Sequence, residues 1–202
     1  MHIDMSDLSP MQCYATMTQT VIPRPVAWVL SENDNQSWNL APFSYFNAVS
    51  SDPPMIMLSI GLEPDGAIKD THINIEARKE FVINIAHREM AEPMTLSSAS
   101  MDPNVSEVDA LDLALAPMPG TRVPRLADCR IAYACEFTEI KMIKTQAIFF
   151  AELKHLYLDD AVVGEDAKGR LSVKAAEVDP LGRLGGGEYV GAGEIIFVKR
   201  PA

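Results

Sequence analysis

The stretch Pro23-Arg24-Pro25-Val26-Ala27-Trp28-Val29, followed by Asn39-Leu40-Ala41-Pro42-Phe43-Ser44-Tyr45-Phe46-Asn47-Ala48-Val49-Ser50-Ser51-Asp52-Pro53-Pro54, sets an apolar strand, a polar and aromatic loop and a second apolar strand in close succession. Ser44, Asn47, Ser50 and Ser51 can offer hydroxyls, an amide and backbone N–H groups to the edge of a heteroaromatic ring. Tyr45 and Phe46 present apolar surface to its face. The same composition also suits an ordinary Ser/Asn-rich connection whose aromatics belong to the core.

Outward from this stretch, segments rich in Val, Ile, Phe and Tyr recur at Val21–Leu30, Met55–Ile60, Phe81–Ala86, Ile131–Ile143, Ala147–Leu158 and Glu194–Lys199. Bounded by Pro, Gly, Asn or Asp, they read as antiparallel strands, the long pair forming a hairpin turned at Lys144-Thr145-Gln146. Lys69–Lys79 and Arg88–Ser100 read as short helices. Asp70-Thr71 is a candidate N-cap beside the cation Lys69. Asp102–Arg125, with Pro103, Pro117, Pro119 and Pro124, reads as an excursion with one short helix near Ser106–Leu113. A single domain over 1–202 follows, a mainly β Greek-key barrel with helical insertions, closed because closure removes exposed strand edges.

The 202 residues are 48% hydrophobic and 22% charged, enough for a substantial core. A net charge of −11 lacks the basic surface that nucleic acid or anionic lipid requires. No apolar window approaches the ~20 residues that span a bilayer, and Met1–Asp7 lacks the features of a signal peptide, so a cytoplasmic protein is expected. Cys13, Cys129 and Cys135 form no CxxC and the four histidines no HExxH, which predicts reduced structural thiols and no metal centre. No GxSxG nucleophile or distinctive carboxylate pair is present. His72, His87 and His155 read as structural or surface residues.

Arg24, between prolines in an apolar strand, must reach either solvent or an anion, and its planar fork suits phosphate or carboxylate. Lys69-Asp70-Thr71 at a helix start is a second anion-binding element; a surface salt bridge and a solvated cap are the plainer alternatives. Pro180–Tyr189 sets Arg183 and Tyr189 around Gly185-Gly186-Gly187, which reads as a flexible connector or a close backbone approach to a ligand.

Taken in order, Pro23–Val29, Asn39–Pro54, Lys69-Asp70-Thr71 with Asn74-Ile75, Phe81–Ile85 and Pro180–Tyr189 resemble the flavin reductase-like, FMN-binding split-barrel family, in particular its branch that includes the flavoredoxins. The resemblance implies a six-stranded antiparallel split barrel that pairs as a homodimer and holds FMN at the subunit interface. It implies that Ser44, Tyr45, Phe46, Asn47, Ala48, Val49, Ser50 and Ser51 contact the flavin ring and ribityl chain. Arg24, Lys69 and Thr71, with Asp70 at the same helix start, would meet or approach the phosphate. Trp28 would pack beside the flavin or serve the core, and Arg183 would lie near the pocket mouth.

The implied activity is that of an NAD(P)H-dependent flavin oxidoreductase, passing electrons from NADH or NADPH through flavin to a flavin, metal complex or protein. No side chain needs to act as acid, base or nucleophile, because the cofactor carries the redox chemistry. Gln146 aligns with a histidine that assists nicotinamide binding in short flavin reductases, and Ala151-Glu152-Leu153 replaces their Gly-Glu-Val. A flavoredoxin-like electron carrier and a non-redox ligand-binding barrel therefore stand as alternatives.

Overall fold

A computed structural model describes residues 1–198. The chain opens on helix α1, Pro10–Thr20, which the strand-centred reading of this region did not include. Its start signal is nevertheless complete: Ser9 accepts from the Gln12 N–H while the Gln12 side chain accepts from the Ser9 N–H, and Pro10 fills the first turn. No residue of α1 is buried.

Strand β1 is the dipeptide Arg24–Pro25, and β2 runs Ala27–Glu32. The predicted loop then resolves into two strands, β3 at Trp38–Phe43 and β4 at Phe46–Ser51, before β5 at Pro54–Ile60. The polar composition concealed β4 because it is an edge strand with Asn47–Ser51 all exposed, so no apolar run announces it. Helix α2, Asp70–Arg78, leads into β6, Glu80–Ile85; then come α3, Ala91–Leu96, and α4, Glu107–Ala110. Short β7, Leu115–Ala116, and β8, Arg125–Leu126, pair with each other. The hairpin of β9, Ile131–Ile143, and β10, Gln146–Leu158, turns on Lys144-Thr145, with Gln146 already paired to Ile143.

The principal sheet has the order β3-β2-β6-β9-β10-β5-β4, with every pairing antiparallel. Its two edge strands, β3 and β4, are consecutive in the chain, joined by Ser44-Tyr45. The sheet therefore curls until its ends meet there, and the Ser59 N–H donates to the Tyr45 carbonyl at 2.8 Å beside the joint. This is a split barrel of seven strands rather than six. The expected terminal strand is absent: residues 194–198 form no strand, and Lys199 lies outside the described residues.

Alternation along β2 explains how the barrel is covered on both faces. Ala27 and Val29 point into the barrel with Leu58, Ile60, Phe81, Ile83 and Phe149, where Ile75 of α2 joins them. Trp28 and Leu30 point outward and are covered by Met94 of α3 and by Val108, Met118 and Val123 of the Pro-rich excursion. Fully buried Asn84 fastens that cover, donating to the Trp28 carbonyl at 3.2 Å and accepting from the Leu126 N–H at 2.9 Å.

The cap of α2 also departs from expectation. Lys69 is the N-cap, without a side-chain hydrogen bond, and Asp70 and Thr71 are the first helical residues. The predicted Arg88–Ser100 helix contracts to α3 after a tight turn at Arg88–Met90. Beyond the barrel, β11, Val163–Glu165, pairs with β12, Leu171–Val173; after α5, Ala175–Val178, come β13, Gly182–Arg183, and β14, Tyr189–Val190. β13 lies between β14 and β1, with Arg24 opposite Arg183, which brings the glycine segment to the start of the barrel. No helix among the described residues is long and apolar enough to cross a membrane.

Candidate functional site

A cleft of about 1240 Å³ opens beside the joint between β3 and β4. One wall is Ala41–Tyr45 with Ser59 and Gly61, and the opposite wall is Leu62–Thr71 with Ser97–Pro103 and Glu107. Met11 and Tyr14 of α1 border it, as do Thr145 and Gln146 of the long hairpin. The fold thus gathers Ser44, Tyr45, Lys69, Asp70 and Thr71 from two distant parts of the sequence.

The side-chain polar groups of Ser44, Lys69, Asp70 and Thr71 are already engaged. Lys69 Nζ donates to Glu63 Oε1 at 2.6 Å, and the Ser100 hydroxyl donates to Glu63 Oε2 at 3.0 Å. Asp70 accepts from the Asn104 N–H at 3.2 Å. Buried Thr71 accepts at Oγ1 from Asn39 Nδ2 at 2.8 Å, and Asn39 also donates to Ser31. Asn74 extends this buried network, donating to Ser31 and to Asn33. Tyr45 lies 6.4 Å from Tyr14, centroid to centroid, with the rings tilted at 46°. Burial raises the Tyr45 pKa and Tyr14 adds to the rise, while Arg24 opposes it, so the phenol remains protonated at neutral pH.

The other candidates stand outside the cleft. Arg24 is buried and internally satisfied: it donates to Ser44 Oγ at 3.2 Å, to the carbonyls of Thr18 and Val21 at 2.6 and 2.8 Å, and to the Leu184 carbonyl at 3.1 Å. It ties α1, the glycine segment and Ser44 together, and within one chain four of its five N–H donors are already taken up by these bonds. Trp28 is fully buried on the outward face of β2, donating to Ser97 Oγ at 2.9 Å, and it serves the core. Phe46, Asn47, Ala48, Val49, Ser50 and Ser51 follow the joint along β4 and do not line the cleft. Arg183 stacks 4.6 Å from the Tyr189 ring and donates to the Gly186 carbonyl. It sits near a smaller hollow of about 400 Å³ lined by Gln19, Ile22 and Leu184–Glu188.

Several cleft residues were not singled out in the sequence, Glu107 among them. Glu107 is buried, and its Oε2 accepts from the Leu40 N–H at 2.8 Å, closing off the free edge of β3. Burial pushes its pKa up, and the Asp70 charge adds to the rise, whereas backbone N–H groups oppose it. Only Ser106, the helix cap just before it, hinted at this placement.

The histidines and cysteines take structural places. His72 pairs with Glu76 at 3.0 Å and meets the Phe149 ring edge-on at 4.9 Å, and His87 pairs with Glu89 at 3.0 Å. The His155 ring occupies the space that a Cβ on Gly120, itself at φ +77°, would need. Cys129 and Cys135 are buried thiols, with burial pushing Cys129 up to about 12 and raising Cys135 further, so neither is a thiolate.

A family model described as "Flavin reductase like domain" matches residues 17–173. The chain belongs to the flavin reductase-like family. Its role is accordingly a flavin-related redox one. The structure of the 2-nitrobenzoate 2-nitroreductase NbaA of Pseudomonas fluorescens is similar at 33% identity, with a TM-score of 0.89 over 100% of this chain and 96% of that one. Component B of the nitrilotriacetate monooxygenase of Bacillus cereus is similar at 26% identity, with a TM-score of 0.87 and 98% coverage of both chains. A flavin reductase-type protein with a split barrel domain from Shewanella frigidimarina shares the fold at 17% identity, TM-score 0.83 and full coverage of both chains.

Proposed function

We propose that this member of the flavin reductase-like family holds FMN in the cleft beside Ser44 and Tyr45 and acts as an NAD(P)H-dependent flavin oxidoreductase, delivering electrons to a flavin, a metal complex or a protein. The observation that carries this reading is the convergence of Ser44-Tyr45 and Lys69-Asp70-Thr71 on one cleft large enough for a flat ring system. The donors fit a phosphate-bearing flavin: an ammonium at Lys69, a hydroxyl at Ser100, and the N–H groups of Asp70 and Thr71 at the start of α2, which lack helical acceptors. Bound flavin would supply the electron-transfer chemistry. The protein would supply the apolar and aromatic wall Phe43–Tyr45, the donors at the opposite wall, and exclusion of water.

Three unpartnered features support a homodimer with the cofactor at the interface. β4 presents Asn47–Ser51 to solvent, α1 buries nothing while exposing Met11, Tyr14 and Met17, and Ile195–Val198 are exposed. In this arrangement the β4 residues Phe46–Ser51 and Arg183 would meet the flavin across the interface. A flavoredoxin-like electron carrier is the second reading, favoured by Gln146, rather than a histidine, at the cleft. The purified chain is expected to show flavin absorption bands. Anaerobic mixing with NADH or NADPH should bleach them; persistence of the bands would overturn the reductase reading in favour of the carrier, and their absence after reconstitution would overturn both.

A further inference from the structure

On the far wall of the cleft, the Lys69 ammonium and the Ser100 hydroxyl converge on one carboxylate. Glu63 receives Lys69 Nζ on Oε1 and the Ser100 hydroxyl on Oε2, and so spans the two segments, 62–71 and 97–103, that build that wall. It is held out to them by a tight loop: Glu63 N–H donates to the Ala67 carbonyl at 2.8 Å, Gly66 N–H donates back to the Glu63 carbonyl at 2.9 Å, and Leu62 bridges Ile68. Lys69 is the one cationic side chain among the residues lining the cleft.

A carboxylate accepting from an ammonium on one oxygen and a hydroxyl on the other reproduces what a phosphate oxygen pair would do in the same place. We infer that Glu63 is a built-in competitor for the flavin phosphate: it occupies Lys69 and Ser100 until the ligand displaces it, and thereby sets how firmly the phosphate is held. The inference rests on the flavin reading of the cleft and concerns a residue that neither the sequence motif nor the family likeness singles out. Its functional consequence is exchange. A phosphate that must displace an internal anion, and then share the cleft with it, leaves more readily, which suits a protein that releases reduced flavin better than one that retains its cofactor.

The test is a fluorescence titration of the flavin-free full chain with FMN and, in parallel, with riboflavin, which lacks the phosphate. Glu63→Gln should tighten FMN by roughly two- to fivefold, the range expected of a partly exposed ion pair, and leave riboflavin unchanged. Lys69→Ala in the Glu63→Gln background should erase the FMN advantage. Unchanged FMN affinity in Glu63→Gln, or an equal change for both flavins, overturns the inference while leaving the flavin reading intact. Failure of the wild-type chain to bind either flavin overturns the two together. Glu63 is partly exposed and lies in a surface loop, so the variant folds; Ser100→Ala, which removes a hydroxyl that the phosphate would also take, should weaken FMN and leave riboflavin unchanged.

Discussion

Arg24 shows how burial reassigns a residue. A guanidinium in an apolar strand invites an anion, yet here three backbone carbonyls and one hydroxyl surround it, and burial makes each of those bonds costly to lose. Arg24→Met is expected to lower unfolding free energy by on the order of 3 kcal/mol in urea titrations. It should also weaken FMN and riboflavin to the same extent, because it acts by holding Ser44 in place; selective loss of FMN would restore it as a phosphate ligand. Glu107 supplies a pH signature. Burial raises its folded pKa above the unfolded value, so the stability it contributes is present at acid pH and is lost as pH rises from the unfolded to the folded pKa. Glu107→Gln, which keeps an acceptor for the Leu40 N–H, should therefore be more stable than wild type at pH 7 in thermal melts, and that gain should vanish as the pH falls below the ordinary carboxylate range.

At the scale of elements, the Pro-rich excursion is the outer cover of the sheet, and Asn84 is its fastening. Asn84→Ala leaves the buried Leu126 N–H without an acceptor and the Trp28 carbonyl with one bond fewer, at a cost of about 2–3 kcal/mol. Hydrogen exchange should show the loss first as faster exchange around residues 115–126; uniform acceleration across the barrel would contradict a local fastening. The strands that pack on both faces were legible as apolar runs, because β2, β6 and the β9–β10 hairpin bury side chains that must be apolar. β3, β4 and α1 were not legible in the same way. β3 carries Asn39, whose amide enters a buried polar network rather than solvent, while β4 and α1 turn polar or unburied faces outward within one chain. The glycine segment does make a close approach, Gly185 to Gln19, but which groups it and Lys69 meet depends on tertiary pairing that spacing does not encode.

For the whole molecule, the exposed apolar side chains include Met11, Tyr14 and Met17 of α1, Val49 at the bulge of β4 and Ile195–Val198. Light scattering is expected to report twice the mass of the 22.2 kDa chain. Val49→Glu should shift that mass toward the monomer and weaken flavin binding in parallel, at no more than ~0.5 kcal/mol in the stability of the isolated chain, because the side chain is exposed there. A monomeric mass for the wild type would remove the interface from the proposal. The joint at Ser44-Tyr45 links these observations, since it is at once the seam of the barrel and one wall of the cleft. Anything that fills the cleft also clamps the seam, so occupancy should be readable far from the ligand as slower amide exchange at Ser59, whose N–H bridges to Tyr45. The barrel's own breathing would then be the clock that limits how often the bound molecule can leave.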